Sequence, residues 1–248
     1  SDLVDNIFIY KKKPWKALKF INKVRKTKYE YFIDPKDHYS KQSLYIAKLI
    51  RAKFKIGFNN KDSQYFDYSV NPGKLENKLH HILIFLNSLD YFGWKLPNQI
   101  PRPELYPKEI ANKEVSNFIK SNSLYGYYCL NISASKESKM IDKEKISEFL
   151  SEINTNLPIV LINGPSDKEY INFLLNQHKN LIRFESRSYD HAIGIIKNSN
   201  LLITPDTSLV HIASAYNIPI LAFYSELDNF YNKFHPLSDL QVIIRPNT

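Results

Sequence analysis

The stretch Leu201-Leu202-Ile203-Thr204-Pro205-Asp206-Thr207-Ser208, followed directly by Leu209 to Tyr216, decides the fold class. Four apolar or β-branched residues make a buried strand, and Pro205 and Asp206 stop it. Leu209, Ile212, Ala213 and Tyr216 then recur at helical spacing. A strand that passes through a short polar loop into a helix is half of a parallel βαβ unit.

The same grammar repeats outward from this stretch. Short apolar runs at Tyr127 to Ile132, Pro158 to Ile162, Leu181 to Phe184, Ile218 to Phe223 and Gln241 to Ile244 read as strands, and Ile146, Phe149, Leu150 and Ile153 line one face of a helix. The expected fold is α/β with a parallel sheet. The first half is less regular. Tyr31 to Ile33 and Lys53 to Phe58 read as strands, with helices over Ser40 to Ile50 and Leu79 to Leu89. Pro97, Pro101, Pro103 and Pro107 suit neither a helix interior nor a central strand. They mark a boundary or crossover, and the division is drawn near Leu124, giving α/β domains over 1–124 and 125–248.

Composition narrows the class. With 43% apolar residues, 17 Tyr, 15 Phe and only 6 Gly, the chain is a folded globular protein and not a low-complexity one. Cys129 is the single cysteine and sits in an apolar run, which excludes an intrachain disulfide and makes a buried thiol the default. The net charge of +9, concentrated early in residues such as Lys11, Lys12 and Lys13, suits an anionic partner or a solvated lysine-rich face. No nucleic-acid module accompanies the charge, so nucleic acid is not expected as the partner. Neither a signal-peptide pattern nor a membrane-length apolar stretch is present, so the cytoplasm is expected, with peripheral contact to an anionic membrane.

Ligands of open parallel sheets bind beyond the carboxyl ends of the strands. Three loops there carry polar chemistry. In the first, Asp206, Thr207 and Ser208 precede a helix, Thr207 or Ser208 being the cap, and the dipole and N–H groups of that helix suit phosphate. His211 lies one turn further, off the apolar stripe. Ser133 to Lys139 offers hydroxyls and lysines suited to a diphosphate, or is a polar turn. Asn163-Gly164-Pro165-Ser166-Asp167 is explained by turn and cap chemistry, with Ser166 or Asp167 as cap. No Gly-rich dinucleotide or phosphate-loop motif, and no metal-ligand spacing of Cys or His, is present.

Asp206-Thr207-Ser208-Leu209-Val210-His211-Ile212-Ala213 resembles the Asp-Thr-Gly-x-x-His-x-Ala signature of glycosyltransferase family 9, which contains the bacterial heptosyltransferases. Arg51 to Phe58, Ser133 to Lys139 and Asn163 to Asp167 agree in order with three further family stretches. The resemblance implies a GT-B fold, two Rossmann-like domains facing a cleft, with the donor held mainly by the C-terminal one. It implies that Ser133, Ser135 and Lys139 meet the donor diphosphate together with Thr207 and Ser208. Asp206 would orient the loop and reach the sugar, with His211 beside it. It further implies an ADP-heptose donor, a lipopolysaccharide core acceptor, inverting chemistry and neither metal nor cofactor.

The chain also departs from the family pattern. Nothing corresponds to the opening strand and Gly-Asp loop that carry the family's proposed general base, and the sequence stops before the usual closing helix. The N-terminal domain is therefore expected to be incomplete. Asp34, after the Tyr31 to Ile33 strand, is the nearest substitute carboxylate, against a structural strand-end role. Ser208 stands where the family has glycine, and Met140-Ile141-Asp142 where His-Trp-Pro is common. Two readings remain: an inverting glycosyltransferase, or a non-catalytic nucleotide-sugar-binding relative.

Overall fold

The computed structural model describes residues 4–8, 14–34, 36, 38–59, 64–69, 80–90, 92–95, 98–136, 139–164, 167–224 and 229–245. Lys11, Lys12, Lys13, Leu79, Pro97, Glu137, Ser138, Pro165, Ser166 and the segment after Arg245, all used in reading the sequence, lie outside the described residues. Two compact units are present: Ser1–Pro101 with Asn232–Phe234, and Arg102–Tyr231 with His235–Thr248.

In the first unit, α1 (Pro14–Arg25), β1 (Tyr29–Ile33), α2 (Lys41–Leu49), β2 (Ala52–Gly57), β3 (Tyr68–Ser69) and α3 (His81–Asp90) follow in order. The strands form a parallel sheet, β1-β2-β3, with Tyr31 opposite Phe54 and Ile33 opposite Ile56. Ser40 starts α2 by accepting the N–H of Ser43 at 3.4 Å. The sheet's cores are small, Leu44, Ala47 and Phe66 on one side and Ile56 with Ile84 on the other.

The second unit begins with α4 (Glu109–Ser121) and continues through β4 (Tyr128–Asn131), α5 (Lys143–Glu152), β5 (Ile159–Ile162), α6 (Lys168–Gln177) and β6 (Leu181–Arg183). Next come α7 (Tyr189–Lys197), β7 (Leu201–Pro205), α8 (Leu209–Ala215), β8 (Ile220–Phe223) and β9 (Gln241–Ile244), while α9 (Asn229–Phe234) is divided between the units. All its strands run parallel, in the order β6-β5-β4-β7-β8-β9. Each strand pairs with the next in sequence except β6, whose successor β7 pairs with β4 instead. The chain reverses its direction of travel across the sheet there, which is the topological switch point where a ligand crevice opens.

Helices cover both faces, so β5 is buried along its whole length and reads as the unbroken run Ile159-Val160-Leu161-Ile162. The division lies at Pro101–Arg102, inside the proline-rich stretch, and not at Leu124. Helix α4 precedes Leu124 yet packs on α7, where a Cβ added at Gly194 would lie 2.8 Å from Val115 Cγ2. Asn217, at φ 56°, ends α8, and the next N–H, of Ile218, returns to Ala213 O at 2.9 Å. That reversal aims β8 alongside β7. Among the described residues no helix is long and apolar enough to cross a membrane.

Candidate functional site

The carboxyl edge of the second sheet is stitched across its switch point by buried polar side chains. Asn131, the last residue of β4, is 3% exposed. Its Oδ1 accepts the Ser133 N–H at 3.2 Å, and its Nδ2 donates to Ser133 O and to Thr204 Oγ1, both at 2.9 Å. Thr204, fully buried in β7, donates its hydroxyl proton to Pro205 O at 2.9 Å. With that proton engaged, the 3.2 Å pair with Thr207 is a bond donated by Thr207. Thr207 Oγ1 in turn accepts the Leu209 N–H at 3.3 Å, so Thr207 caps α8 while the Ser208 side chain makes no cap bond.

Ser133 joins this edge to the next loop. Its hydroxyl accepts the Gly164 N–H at 2.6 Å and donates to the Asp167 carboxylate. A side chain at Gly164 would crowd that junction, its Cβ lying 3.3 Å from Asp167 Oδ2 and 3.4 Å from Ser133 Oγ. Asp167 is the N-cap residue of α6, but its carboxylate turns to Ser133 and makes no cap bond. Lys139 and Asp206 form an ion pair, half-exposed on both sides, between the loops after β4 and β7.

A fourth loop completes the site. Ser186, Arg187 and Ser188 follow β6, and Ser188 caps α7 by accepting the His191 N–H at 3.3 Å. Together the loops enclose a cavity of about 690 Å³, whose lining includes Ser133, Ser135, Asn163, Arg187, Tyr189, Thr207 and Ser208. This volume suits a ligand of nucleotide size. Tyr189 is 68% exposed, with its hydroxyl 3.5 Å from Ser208 Oγ.

Of the residues singled out in the sequence, Ser133, Ser135, Thr207 and Ser208 line this cavity, whereas Lys139, Asp206 and His211 are not among its lining. His211 is half-buried on α8. Burial lowers its pKa, with Asp206 pulling it up and His235 lowering it further. Asp34 belongs to the first unit, where it is 8% exposed and accepts the Lys36 N–H at 3.3 Å, a local strand-end turn. Cys129 is buried, and burial pushes its thiol well above the usual range. Among the described residues no group of three His, Cys, Asp or Glu is placed to hold a metal.

The sequence reading missed Asn131, Thr204, Arg187 and Tyr189. The first two are concealed in apolar strand runs. Arg187 and Tyr189 carry a usable signal, since they flank Ser188, a preferred N-cap residue standing between a strand and a helical run.

The sequence model of glycosyltransferase family 9 (heptosyltransferase) matches residues 17–248. The chain belongs to glycosyltransferase family 9. Solved structures share its architecture. The family 9 glycosyl transferase of Veillonella parvula superposes with a TM-score of 0.76 at 16% identity, over 95% of this chain and 69% of that one. For Escherichia coli ADP-heptose lps heptosyltransferase II the values are 0.71 and 18%, over 93% and 72%. For E. coli heptosyltransferase WaaC with ADP they are 0.68 and 16%, over 94% and 71%. At these identities the likeness is one of fold, and the family match identifies a glycosyltransferase. No curated protein matches significantly. The switch-point cavity lies in the unit of this family 9 chain that carries the Asp206 to Ala213 signature.

Proposed function

We propose that the chain transfers heptose from ADP-heptose to a lipopolysaccharide core acceptor, with inversion at the anomeric carbon and without metal or cofactor. It acts in the cytoplasm, with peripheral contact to an anionic membrane. The observation that carries this reading is the cavity at the β4/β7 switch point of a family 9 chain, walled by hydroxyls and closed by the Thr207-capped start of α8.

In this reading an acceptor hydroxyl attacks the anomeric carbon from the face opposite the diphosphate. The new C–O bond forms as the bond to the diphosphate oxygen breaks, ADP departs with the bonding pair, and the hydroxyl proton passes to a base. The charge gathering on the departing diphosphate is met by the Lys139 ammonium, which pairs with Asp206 beside Thr207, by the Ser135 and Ser208 hydroxyls and by the Thr207 backbone N–H. Preorganised donors of this kind act where charge develops.

The test incubates the purified chain with ADP-heptose and a lipopolysaccharide core acceptor, and measures ADP release and the anomeric configuration of the product by NMR. Stoichiometric ADP and inverted product are expected. Tight binding of the sugar nucleotide without turnover would replace the transferase reading with that of a nucleotide-sugar-binding relative, and absence of binding would remove both.

A further inference from the structure

The wall formed by the β6–α7 loop is held by a titratable side chain. Two bonds fix the start of α7: Ser188 Oγ accepts the His191 N–H at 3.3 Å, and His191 Nδ1 accepts the Arg187 N–H at 3.2 Å. In a common capping box a Glu or Gln at this third helical position makes the return bond. Here the imidazole takes the N–H of Arg187 instead, one residue before the cap. A backbone N–H can only donate, so Nδ1 must present a lone pair, and the ring proton resides on Nε2. Nε2 faces Glu114 Oε2 on α4 at 2.8 Å. The ring is 7% exposed and meets Phe184 edge to face at 5.6 Å.

This arrangement has two incompatible demands. Glu114 favours a positively charged ring, whereas the Arg187 N–H tolerates only a neutral one, because a proton on Nδ1 would oppose N–H to N–H. The other charged groups on the surrounding elements are Arg187 and Glu185, paired at 3.1 Å on the loop, Arg183 on β6, Asp190 on α7, which accepts the Lys108 N–H at 3.4 Å, Lys197 on α7, which donates to Asn112 Oδ1 at 3.1 Å, and Glu109, Lys113 and Lys120 on α4, the first two paired at 3.2 Å. Arg187, Ser188 and Tyr189 all line the cavity.

We propose that His191 is a positioning residue of the donor cavity and a proton-sensitive one: its neutral form holds the Arg187 to Tyr189 wall in place, and its protonation releases that wall, so nucleotide binding weakens as pH falls. The inference rests on the reading of the cavity as the ADP-heptose site. It differs from a purely structural role for His191 in predicting which isostere restores function. Asn at 191 places an acceptor near the position of Nδ1 and does not titrate. Gln at 191 reaches the Ser188 N–H, as in a common capping box, or Glu114, as Nε2 does, and leaves the Arg187 N–H without its acceptor.

The experiment measures ADP affinity of the full chain by calorimetry from about pH 8 to about pH 5.5, the span in which imidazoles titrate, for the wild type, His191→Asn and His191→Gln. Ratios between variants remove the nucleotide's own titration. Wild-type affinity should fall relative to His191→Asn by on the order of tenfold, the scale of one lost hydrogen bond. His191→Asn should match the wild type at the upper pH, and His191→Gln should be weak throughout.

A second readout needs no nucleotide. The protection of the Arg187 amide against hydrogen exchange in the free chain should be lost at low pH in the wild type and kept in His191→Asn. Equal protection in wild type and His191→Asn at both ends of the pH range would overturn the proposal, as would parallel affinity profiles. Absence of ADP binding together with the predicted loss of protection would overturn the cavity assignment and leave the His191 device standing.

Discussion

Asp34 and Asn131 sit at corresponding places in the two units, each a buried polar residue at the carboxyl end of a parallel strand. Asp34 receives its bond from Lys36, two residues away, and so closes a local turn. Asn131 reaches both its own loop and Thr204 on the neighbouring strand, and Thr204 passes the connection to the cap of α8. A local bond fixes one loop, whereas a bond across the switch point fixes two loops relative to each other. A site that must grip one ligand from several loops needs the second kind.

The surrounding burial differs in the same direction. Leu161 is fully buried in a sheet covered on both faces, while Leu44 belongs to a small core with Ala47 and Phe66. A cavity in the first setting has few ways to collapse. Leu161→Ala is therefore expected to cost about 4 kcal/mol and Leu44→Ala about 2 kcal/mol, read from urea unfolding. Equal losses would show that the first unit's core is as constrained as the second's.

The strand-end pair gives a sharper contrast. Asn131→Ala removes one buried amide and leaves Thr204 and the Ser133 backbone short of partners, at a cost of about 2–3 kcal/mol in stability. ADP affinity should fall with it, since both loops lose their reference. Asp34→Asn keeps a carbonyl acceptor for the Lys36 N–H and should change stability by less than about 0.5 kcal/mol. A large effect at Asp34 on turnover with stability unchanged would instead give it a role in the chemistry.

Lys139 tests the ligand side of the same edge. Its ammonium is shared with Asp206, so it is held in place without being buried. Lys139→Ala should weaken ADP binding by about 1–3 kcal/mol if it reaches phosphate, while stability changes little because half-exposed pairs contribute little. Unchanged calorimetric affinity would limit Lys139 to a tether for the Asp206 loop.

The sequence carried the second sheet well, because strands covered on both faces become apolar runs bounded by polar loops, as at Ile159 to Ile162. It carried α7 poorly for the same reason. His191 to Ile196 are all buried, so only the ends of the helix, at Tyr189, Asp190 and Lys197, carry a polar signal. In the first unit β3 is two residues long, too short for any alternation to register. At the site, the loops after β4 and β7 were legible through Ser133, Ser135, Thr207 and Ser208, whose hydroxyls stand in polar clusters. Asn131 and Thr204 were not, since each ends an apolar run and gains its role only from a partner about seventy residues away, brought adjacent by the register of Tyr128 with Leu201.

Tyr224 offers the finest test of how completely the second unit's edge is satisfied. It follows β8 and donates its backbone N–H to Ile244 O at 3.0 Å. Its ring meets Tyr231 edge to face at 5.4 Å, over which Arg245 lies 4.1 Å from the ring centre. The Tyr224 hydroxyl, however, is buried with no hydrogen-bond partner among the described residues, in contrast to Asn131 and Thr204. Burial above all, and then the Asp206 carboxylate, push its pKa up, so it remains a neutral donor throughout the usual pH range. A buried hydroxyl without a partner carries a desolvation cost that its removal should relieve. Tyr224→Phe keeps the ring contacts and deletes the hydroxyl, and should raise the chain's stability by up to about 1 kcal/mol in urea unfolding. A loss of similar size would mean that the hydroxyl finds a water or a moving partner in solution, and that this edge is as fully bonded at β8 as it is at β4 and β7.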